Sequence, residues 1–292
     1  MRFLFPSNYF KPQRVDSAYT EQCDRLHKSG FDTSVISLEN LSLGASKIYP
    51  PPHPDEKLIY RGWMISPDEH SLLVNAVRNT GADLWIDRDE YLSTHYLPNW
   101  YPLLQDLTPE TYWFNVDADL NRELIKLGWN KFFIKDYVKS LKTSIGSIIK
   151  DPSEIGQVVA EMHKFRGTIE GGICVRKVED FITETEQRYF IINGRAFAAS
   201  TATKIPDIVK VCASRINSKF FSVDIIDRID GCQRVVEIGD GQVSGLVGWS
   251  VERFTDIWAE SFLDIFTLTS DRVLLSSSKT PLLGGVPVGR GG

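Results

Sequence analysis

The strand-turn-strand segment from Phe220 to Gly239 constrains this chain more than any other stretch. Phe220–Asp227 and Cys232–Gly239 read as strands flanking Ile229-Asp230-Gly231. Asp-Gly between two strand-like runs favours a two-residue turn, and the turn sets the register of the pair. Counting outward from Asp230 and Gly231 places Asp224 opposite Glu237, Val223 opposite Ile238, Ile225 opposite Val236 and Asp227 opposite Arg234. That register pairs apolar residues with apolar residues and joins one opposite-charge pair. Two carboxylates directly opposed on a ladder repel each other. With Asp240 just beyond, the pattern points to a cation between them, and magnesium is the natural choice for oxygen donors. The competing reading is a solvated strand face with a bulge separating the charges.

The N-terminal part alternates strands and helices. Arg2–Phe5 is a short apolar strand, followed by a helix in which Tyr19, Cys23 and Leu26 share a face before Gly30 ends it. Thr33–Ile36 and Leu58–Tyr60 are further strands, separated by the Pro-rich stretch 50–54. Ser66-Pro67-Asp68-Glu69 then has the form of a capped helix start, with Leu72, Leu73, Ala76 and Val77 as the expected buried stripe up to Gly81. Strand Asp83–Ile86 completes a β-α-β-α-β run, which implies a small parallel sheet.

Residues 89–130 are aromatic-rich and read as a helical link, with Leu120, Leu124 and Leu127 on one face. Strand Lys131–Val138 opens a second unit. Asp151-Pro152-Ser153-Glu154 starts another capped helix carrying Ile155, Val158, Val159, Met162 and Phe165 at helical spacing, and strand Gly172–Val178 follows. Gln187–Ile192 and Arg195–Ser200 form a hairpin around Asn193-Gly194, a strong short hairpin signal. Helix Pro206–Asn217 joins it to the Asp224/Glu237 hairpin, so the last two-thirds reads as α+β with two antiparallel sheets.

Composition narrows the classes. A chain of 292 residues that is 42% hydrophobic can bury a sizeable core divided among two or three subdomains. A formal net charge of -5 argues against non-specific nucleic-acid binding. Cys23, Cys174, Cys212 and Cys232 are far apart, which favours buried reduced thiols over zinc or a disulfide framework. No run reaches transmembrane length, and Pro6 directly after Met1–Phe5 leaves no apolar signal-peptide region, so a cytoplasmic protein is expected. The five histidines are scattered without ligand spacing, and no Walker A, GxGxxG or GxSxG pattern is present.

Three more constellations suit nucleotide chemistry. Phe132-Phe133-Ile134-Lys135 ends an apolar strand with a lysine, and the next loop holds Lys139, Ser140, Lys142, Thr143 and Ser144, ammonium and hydroxyl groups able to hold phosphates or simply to be solvated. Arg176-Lys177-Val178-Glu179 ends a strand whose backbone suits an adenine edge, with an acid nearby for ribose hydroxyls. Glu186-Gln187-Arg188 opens the first hairpin, where Arg188 either neutralises a transferring phosphoryl group or pairs with a carboxylate. In the N-terminal unit, Arg61 in Tyr60-Arg61-Gly62-Trp63 follows a parallel strand, where open α/β sheets place ligands. It suits an anion clamp, the alternative being an arginine stacked on Trp63.

Taken in chain order, FFIKDYVKSLK, ICVRKVEDF, ETEQRYFIING and SVDIIDRIDGCQRVVEIGDGQ resemble the ATP-grasp superfamily, closest to the branch related to the ribosomal-protein glutamate ligase. The resemblance implies an α/β plus α+β fold, with an N-terminal pre-ATP-grasp α/β subdomain and linker (1–110), an ATP-grasp N-lobe (111–178) and a C-lobe (179–275), while the Gly/Pro/Ser-rich stretch 276–292 reads from its composition as a flexible tail. It implies ATP and Mg2+ as cofactors, with Lys135, Lys139 and Lys142 on phosphates. The hinge Arg176, Lys177, Val178 and Glu179 would hold adenosine, and Glu186 is a further cofactor-binding candidate. Arg188 would face the γ-phosphate, Asp224, Glu237 and Asp240 would carry the metal, and Arg61 would hold the substrate anion. Gly239 stands where many members have an asparagine, which leaves the third metal ligand to Asp240 or Gln242.

The expected activity is ligation of a small-molecule or peptide carboxylate to an amine or thiol through an acyl phosphate. A nucleotide-binding module without turnover and a phosphotransferase using the same site are the competing readings.

Overall fold

The computed structural model describes residues 1–138 and 146–262. Its first sheet contains β1 (Arg2–Pro6), β2 (Asp32–Ile36), β3 (Ile48–Tyr49), β4 (Lys57–Tyr60) and β5 (Asp83–Leu84), in the order β3-β2-β1-β4-β5. β1, β2, β4 and β5 are parallel, as the alternation of strands and helices requires, while β3 adds an antiparallel edge too short to leave an alternating pattern. Around them lie α1 (Thr20–Lys28), α2 (Leu38–Ser42) and α3 (Pro67–Arg78). The start of α3 is a full capping box: Ser66 Oγ accepts from Glu69 N at 3.2 Å, and Glu69 Oε2 accepts from Ser66 N at 2.7 Å. Its buried face is His70, Leu73 and Val77, whereas Leu72 lies at the surface.

The linking stretch contains α4 (Arg88–His95), α5 (Leu97–Leu104) and α6 (Leu120–Leu127), but it is not helical throughout. β6 (Thr111–Phe114) interrupts it and joins β7 (Phe132–Asp136), β8 (Ile148–Ile149) and β9 (Ile173–Lys177) in an antiparallel sheet of order β6-β9-β7-β8. One face of that sheet, Phe132, Ile134, Ile173 and Val175, packs on Leu120 and Leu124 of α6 and on α7 (Ile155–Arg166). Ile155, Val158 and Met162 of α7 are buried there, but Phe165 is turned outward and exposed. By the two-residue period of a strand, the opposite face presents Lys135 and Arg176.

Both hairpins belong to a third sheet, formed by β10 (Phe181–Ile192), β11 (Arg195–Phe197), β12 (Phe220–Arg228) and β13 (Gln233–Asp240) in the order β11-β10-β12-β13. Asn193 and Gly194 both have positive φ, 49° and 75°, as a two-residue hairpin turn with this dipeptide demands. Tyr189, Ile191, Val223 and Ile238 on one face pack against Trp100 and Leu104 of α5 and Val209 and Cys212 of α8 (Asp207–Arg215). On the other face Phe190 and Phe220 meet Phe254 and Trp258 from a helix over 251–262, to which no sequence pattern above points. Trp258 stands edge-on to Phe3 at 5.0 Å and to Phe220 at 4.7 Å, so this helix wedges the first and third sheets into one core.

All four cysteines are free. Cys174 and Cys212 are buried, but Cys232 is exposed at a hairpin tip, contrary to the expectation of uniformly buried thiols. No helix among the described residues is long and apolar enough to cross a membrane.

The second sheet is clasped at its end by Tyr137. Its ring covers Gly171 and Gly172, while its carbonyl accepts from Leu97 N at 2.9 Å and its N–H reaches Glu170 O at 3.3 Å. A Cβ on Gly171 would lie 2.1 Å from the ring, on a residue with φ of +77°. Gly171→Ala is therefore expected to lower stability by about 1–3 kcal/mol, measured by urea unfolding, because overpacking and left-handed strain act together. An unchanged midpoint would mean that the clasp yields without cost.

Candidate active site

The opposition of Asp224 and Glu237 is present, but it is reached by a different route from the two-residue turn. The tip is a loop through Ile229-Asp230-Gly231, closed by Arg228 N to Cys232 O at 2.8 Å, with Gly231 at φ 84°. From there Ile225 pairs with Val235 and Asp227 with Gln233, so the expected pairs Ile225–Val236 and Asp227–Arg234 are not formed. A bulge then leaves Val236 without a partner and restores the register, putting Asp224 opposite Glu237. The two offsets cancel. The bulge turns the Val236 carbonyl toward Arg176, whose Nη1 donates to it at 2.6 Å.

Arg188 extends this pair into a row, because β10 pairs with β12 so that Arg188 is opposite Asp224. Its Nε and Nη2 donate to the two Asp224 carboxylate oxygens at 2.7 and 2.6 Å, and its Nη1 donates to Gly245 O at 2.8 Å. Lys135, buried on the second sheet, reaches Glu237 Oε1 at 3.3 Å. Arg188, Asp224, Glu237 and Lys135 thus alternate in sign across three adjacent strands and over to the neighbouring sheet. Burial raises the Asp224 pKa, Arg188 pulls it back, and the facing Glu237 raises it again, for a net upward shift. Burial disfavours charge on Arg188, but the ion pair with Asp224 outweighs it and the net shift is upward.

Asp240 does not join the row. It lies three positions after Glu237 on one strand, an odd offset, so the two side chains point to opposite faces. It pairs with Phe221, is fully buried, and its carboxylate accepts from Gln242 N at 2.9 Å and Thr94 Oγ1 at 3.4 Å. Gln242 Nε2 also donates to Asp240, so neither is placed as a third ligand beside Asp224 and Glu237. Among the described residues no three His, Cys, Asp or Glu side chains converge in a way that could hold a metal ion.

Arg61 is likewise drawn inside. At 2% exposure it neither clamps an open site nor stacks on Trp63. Its Nη1 donates to the carbonyls of Gly241, Gln242 and Ser244 at 3.1, 3.2 and 2.6 Å, its Nε donates to Gln22 Oε1 at 3.0 Å, and the guanidinium lies over Phe254. These contacts make it a structural tie between the first and third sheets. Burial lowers its pKa to about 10.

In the hinge, Arg176 is buried against Thr108, Thr111 and the Trp100 ring, and Val178 is half-buried. Lys177 lies 3.8 Å from Glu110, and Glu179 is held by Arg228 and Arg234 at 3.0–3.2 Å. Glu186 sits where the β10–β12 register shifts, just before Arg188. Lys139, Lys142 and the tail 276–292 lie outside the described residues. Beside Arg188 and Asp224 is a cavity of about 260 Å³ whose lining includes Glu186, Ala199, Ser200, Thr203 and Val247. Sequence reasoning missed Ser200, Thr203 and Val247 because they sit in connections with no motif and meet only through the fold.

Comparison with known proteins bears on the domain and its fold. Residues 126–260 match the family described as ATP-grasp domain, R2K clade family 3. The chain superposes on a D-cycloserine synthetase at TM-score 0.58, with 11% identity over 89% of this chain and 99% of the other. A RimK-domain ATP-grasp protein from Sphaerobacter thermophilus gives 0.57, with 12% identity over 85% and 94%. The ATP-grasp ligase PsnB, solved with a minimal precursor, Mg and ADP, gives 0.55, with 12% identity over 88% and 95%. No curated protein sequence matches. Residues 126–260 thus carry the signature of an ATP-grasp domain, and the chain shares its fold with the RimK-domain structure.

The displaced Asp240 gives a test by pH. Burial pushes its pKa up to about 8, against the hydrogen bonds from Gln242 and Thr94 that favour the charged form. The folded protein therefore keeps a proton that the unfolded chain releases near pH 4, and stability falls as pH rises from there to 8. Asp240→Asn cannot titrate. Relative to the parent it should gain stability across pH 5 to 8, with a slope approaching ~1.4 kcal/mol per pH unit. A stability gap independent of pH would place the Asp240 carboxyl in a solvated setting.

Proposed function

We propose that this protein is an ATP- and magnesium-dependent ligase that joins a carboxylic acid to an amine or thiol, passing through an acyl phosphate and releasing ADP and phosphate. The observation that carries the reading is the row Arg188-Asp224-Glu237 on one sheet, with Lys135 reaching Glu237 from another. Two opposed carboxylates flanked by two cations form a site for a metal-bound polyphosphate rather than for an apolar ligand.

The donor set fits magnesium, which commonly takes one or two carboxylates and completes its shell with phosphate oxygens and water. Asp224 and Glu237 would hold it, and when bound it neutralises charge on the terminal phosphates. Arg188 and Lys135, released in part from their carboxylates as the ion takes these up, would donate to the phosphate oxygens. Fixed donors of this kind stabilise charge developing in phosphoryl transfer. The backbone of the hinge 177–179 would meet the adenine, and Glu186 the ribose.

A substrate carboxylate oxygen would attack the γ-phosphorus as the bond to ADP breaks. The amine or thiol would then attack the acyl carbon, losing its proton as phosphate leaves. The ATP-grasp family match supports this reading, as do structural neighbours described as a D-cycloserine synthetase and as a ligase complexed with precursor, Mg and ADP.

The test is ATP turnover in the presence of magnesium and a mixture of carboxylic acids and amines, with the nucleotide products resolved chromatographically. ADP should form first. Lys135→Met and Arg188→Lys should each lower turnover by ~100-fold or more, the usual cost of removing or misplacing one donor at a developing charge. Arg188→Lys keeps a cation beside the buried Asp224, so the effect separates from unfolding. AMP as the first nucleotide product, or normal turnover in both variants, overturns the reading.

A further inference from the structure

We propose that the loop after β1 is a docking surface for an acidic peptide substrate, its apolar side chains resting on Tyr9 and Phe10 and its carboxylates on Lys11 and Arg14. The proposal rests on the reading that the Arg188-Asp224-Glu237 row activates a carboxylate, and it names the class of molecule that carries it.

The loop is pinned. Asn8 Oδ1 accepts from the N–H groups of Phe10 and Lys11, both at 3.1 Å, Asn8 N donates to Arg14 O at 2.8 Å, and Ser7 bridges Val15. An Asx-type turn closed at its base holds its shape without a partner, so little ordering entropy is lost when one binds. Yet what the loop displays is apolar: Tyr9 is 70% and Phe10 84% exposed, and the two rings meet edge to face at 5.0 Å. Nearby on β4's exit, Trp63 is half exposed, with its indole N–H on Asp16 Oδ2 and its ring edge-on to Tyr19. Solvent-facing aromatic surface on a rigid loop is the composition of a recognition site.

Its place in the fold connects it to the chemistry. β1 and β4 are neighbours on either side of the point where the strand order reverses, and ligands bind open α/β sheets beyond the carboxyl ends of strands at that point. From Trp63 the chain of contacts to the row is short. Gly62 N donates to Gln242 O at 3.0 Å, Arg61 holds Ser244 O, and Gly245 O accepts from Arg188.

Charge complementarity selects the occupant. The chain's formal net charge is -5, but Lys11 and Arg14 lie within a few residues of the exposed rings and make no ion pair among the described residues. Apolar contact and two cations set along one short loop suit an extended peptide that carries both apolar side chains and carboxylates.

The experiment measures binding of an array of acidic dodecapeptides, each with one apolar residue among glutamates, to the full-length protein by fluorescence anisotropy, beside calorimetry with a non-hydrolysable ATP analogue. Peptides with apolar residues should bind the parent. The Tyr9→Ala/Phe10→Ala double variant and Lys11→Glu should each weaken that binding about tenfold or more, ~1.4 kcal/mol, with unchanged analogue affinity and thermal midpoint. Added salt should weaken binding to the parent, and lysine-substituted control peptides should not bind. Equal peptide affinity in parent and variants, or no binding by any member of the array while the analogue binds, overturns the docking surface. A dimer of the parent that dissociates in the double variant overturns it in favour of a second copy of this chain. Failure of the analogue to bind the parent counts instead against the nucleotide site itself.

Discussion

The register of β10, β12 and β13 is the constraint on which the rest of the site depends. It aligns Arg188, Asp224 and Glu237 on one face, and a shift by one residue would turn the whole row into the packing below. Directly opposed carboxylates oppose that register electrostatically, so apolar pairs must hold it. Tyr189, Val223 and Ile238 pack on α5 and α8 beneath, while Phe190 and Phe220 lock against Phe254 and Trp258 above. Hydrophobic packing thus sustains a charge arrangement that is unfavourable by itself, and Arg188 and Lys135 offset the remaining repulsion from its two ends.

Two buried arginines connect the units around this ladder. Arg61 and Arg176 are both almost wholly out of solvent and find their hydrogen bonds mainly in backbone carbonyls and hydroxyls rather than in carboxylates. Carbonyls of the 241–244 segment hold Arg61 beneath the first sheet, and the Val236 bulge carbonyl holds Arg176 beneath the second. Burying a guanidinium is costly unless most of its donors are met. Each pairing therefore demands one arrangement of its two segments and fixes the sheets on both sides of the row relative to it. The same burial removes Arg61 from substrate chemistry, the role its position after a parallel strand suggests.

Local rules made much of the chain legible. The capping boxes at Ser66 and Asp151 and the Asn193-Gly194 turn follow from residue type and spacing within a few positions, and the parallel β-α-β run follows from the alternation of strand and helix patterns; Asp224 does face Glu237, but through two offsets that cancel. The motifs in chain order point to an ATP-grasp domain, and the family model for such a domain matches residues 126–260. What stayed hidden was long-range. β6 reads as part of a helical linker because its aromatic run becomes a strand only by pairing with β9. The helix over 251–262 becomes part of the core only because Trp258 meets Phe3 and Phe220, far away in sequence.

The Asp224-Glu237 hairpin shows where that boundary lies. From the sequence alone come two strands, a turn containing Asp230-Gly231 and two facing carboxylates, because alternation and turn chemistry are local. The loop through Ile229, the compensating bulge at Val236 and the withdrawal of Asp240 were decided by tertiary structure. Arg176 takes the carbonyl that the bulge turns outward, and Gln242 and Thr94 satisfy the Asp240 carboxyl inside. Spacing along a strand determines which face a side chain points to, but a bulge changes that count. Whether a bulge forms depends on partners that only the folded chain brings within reach.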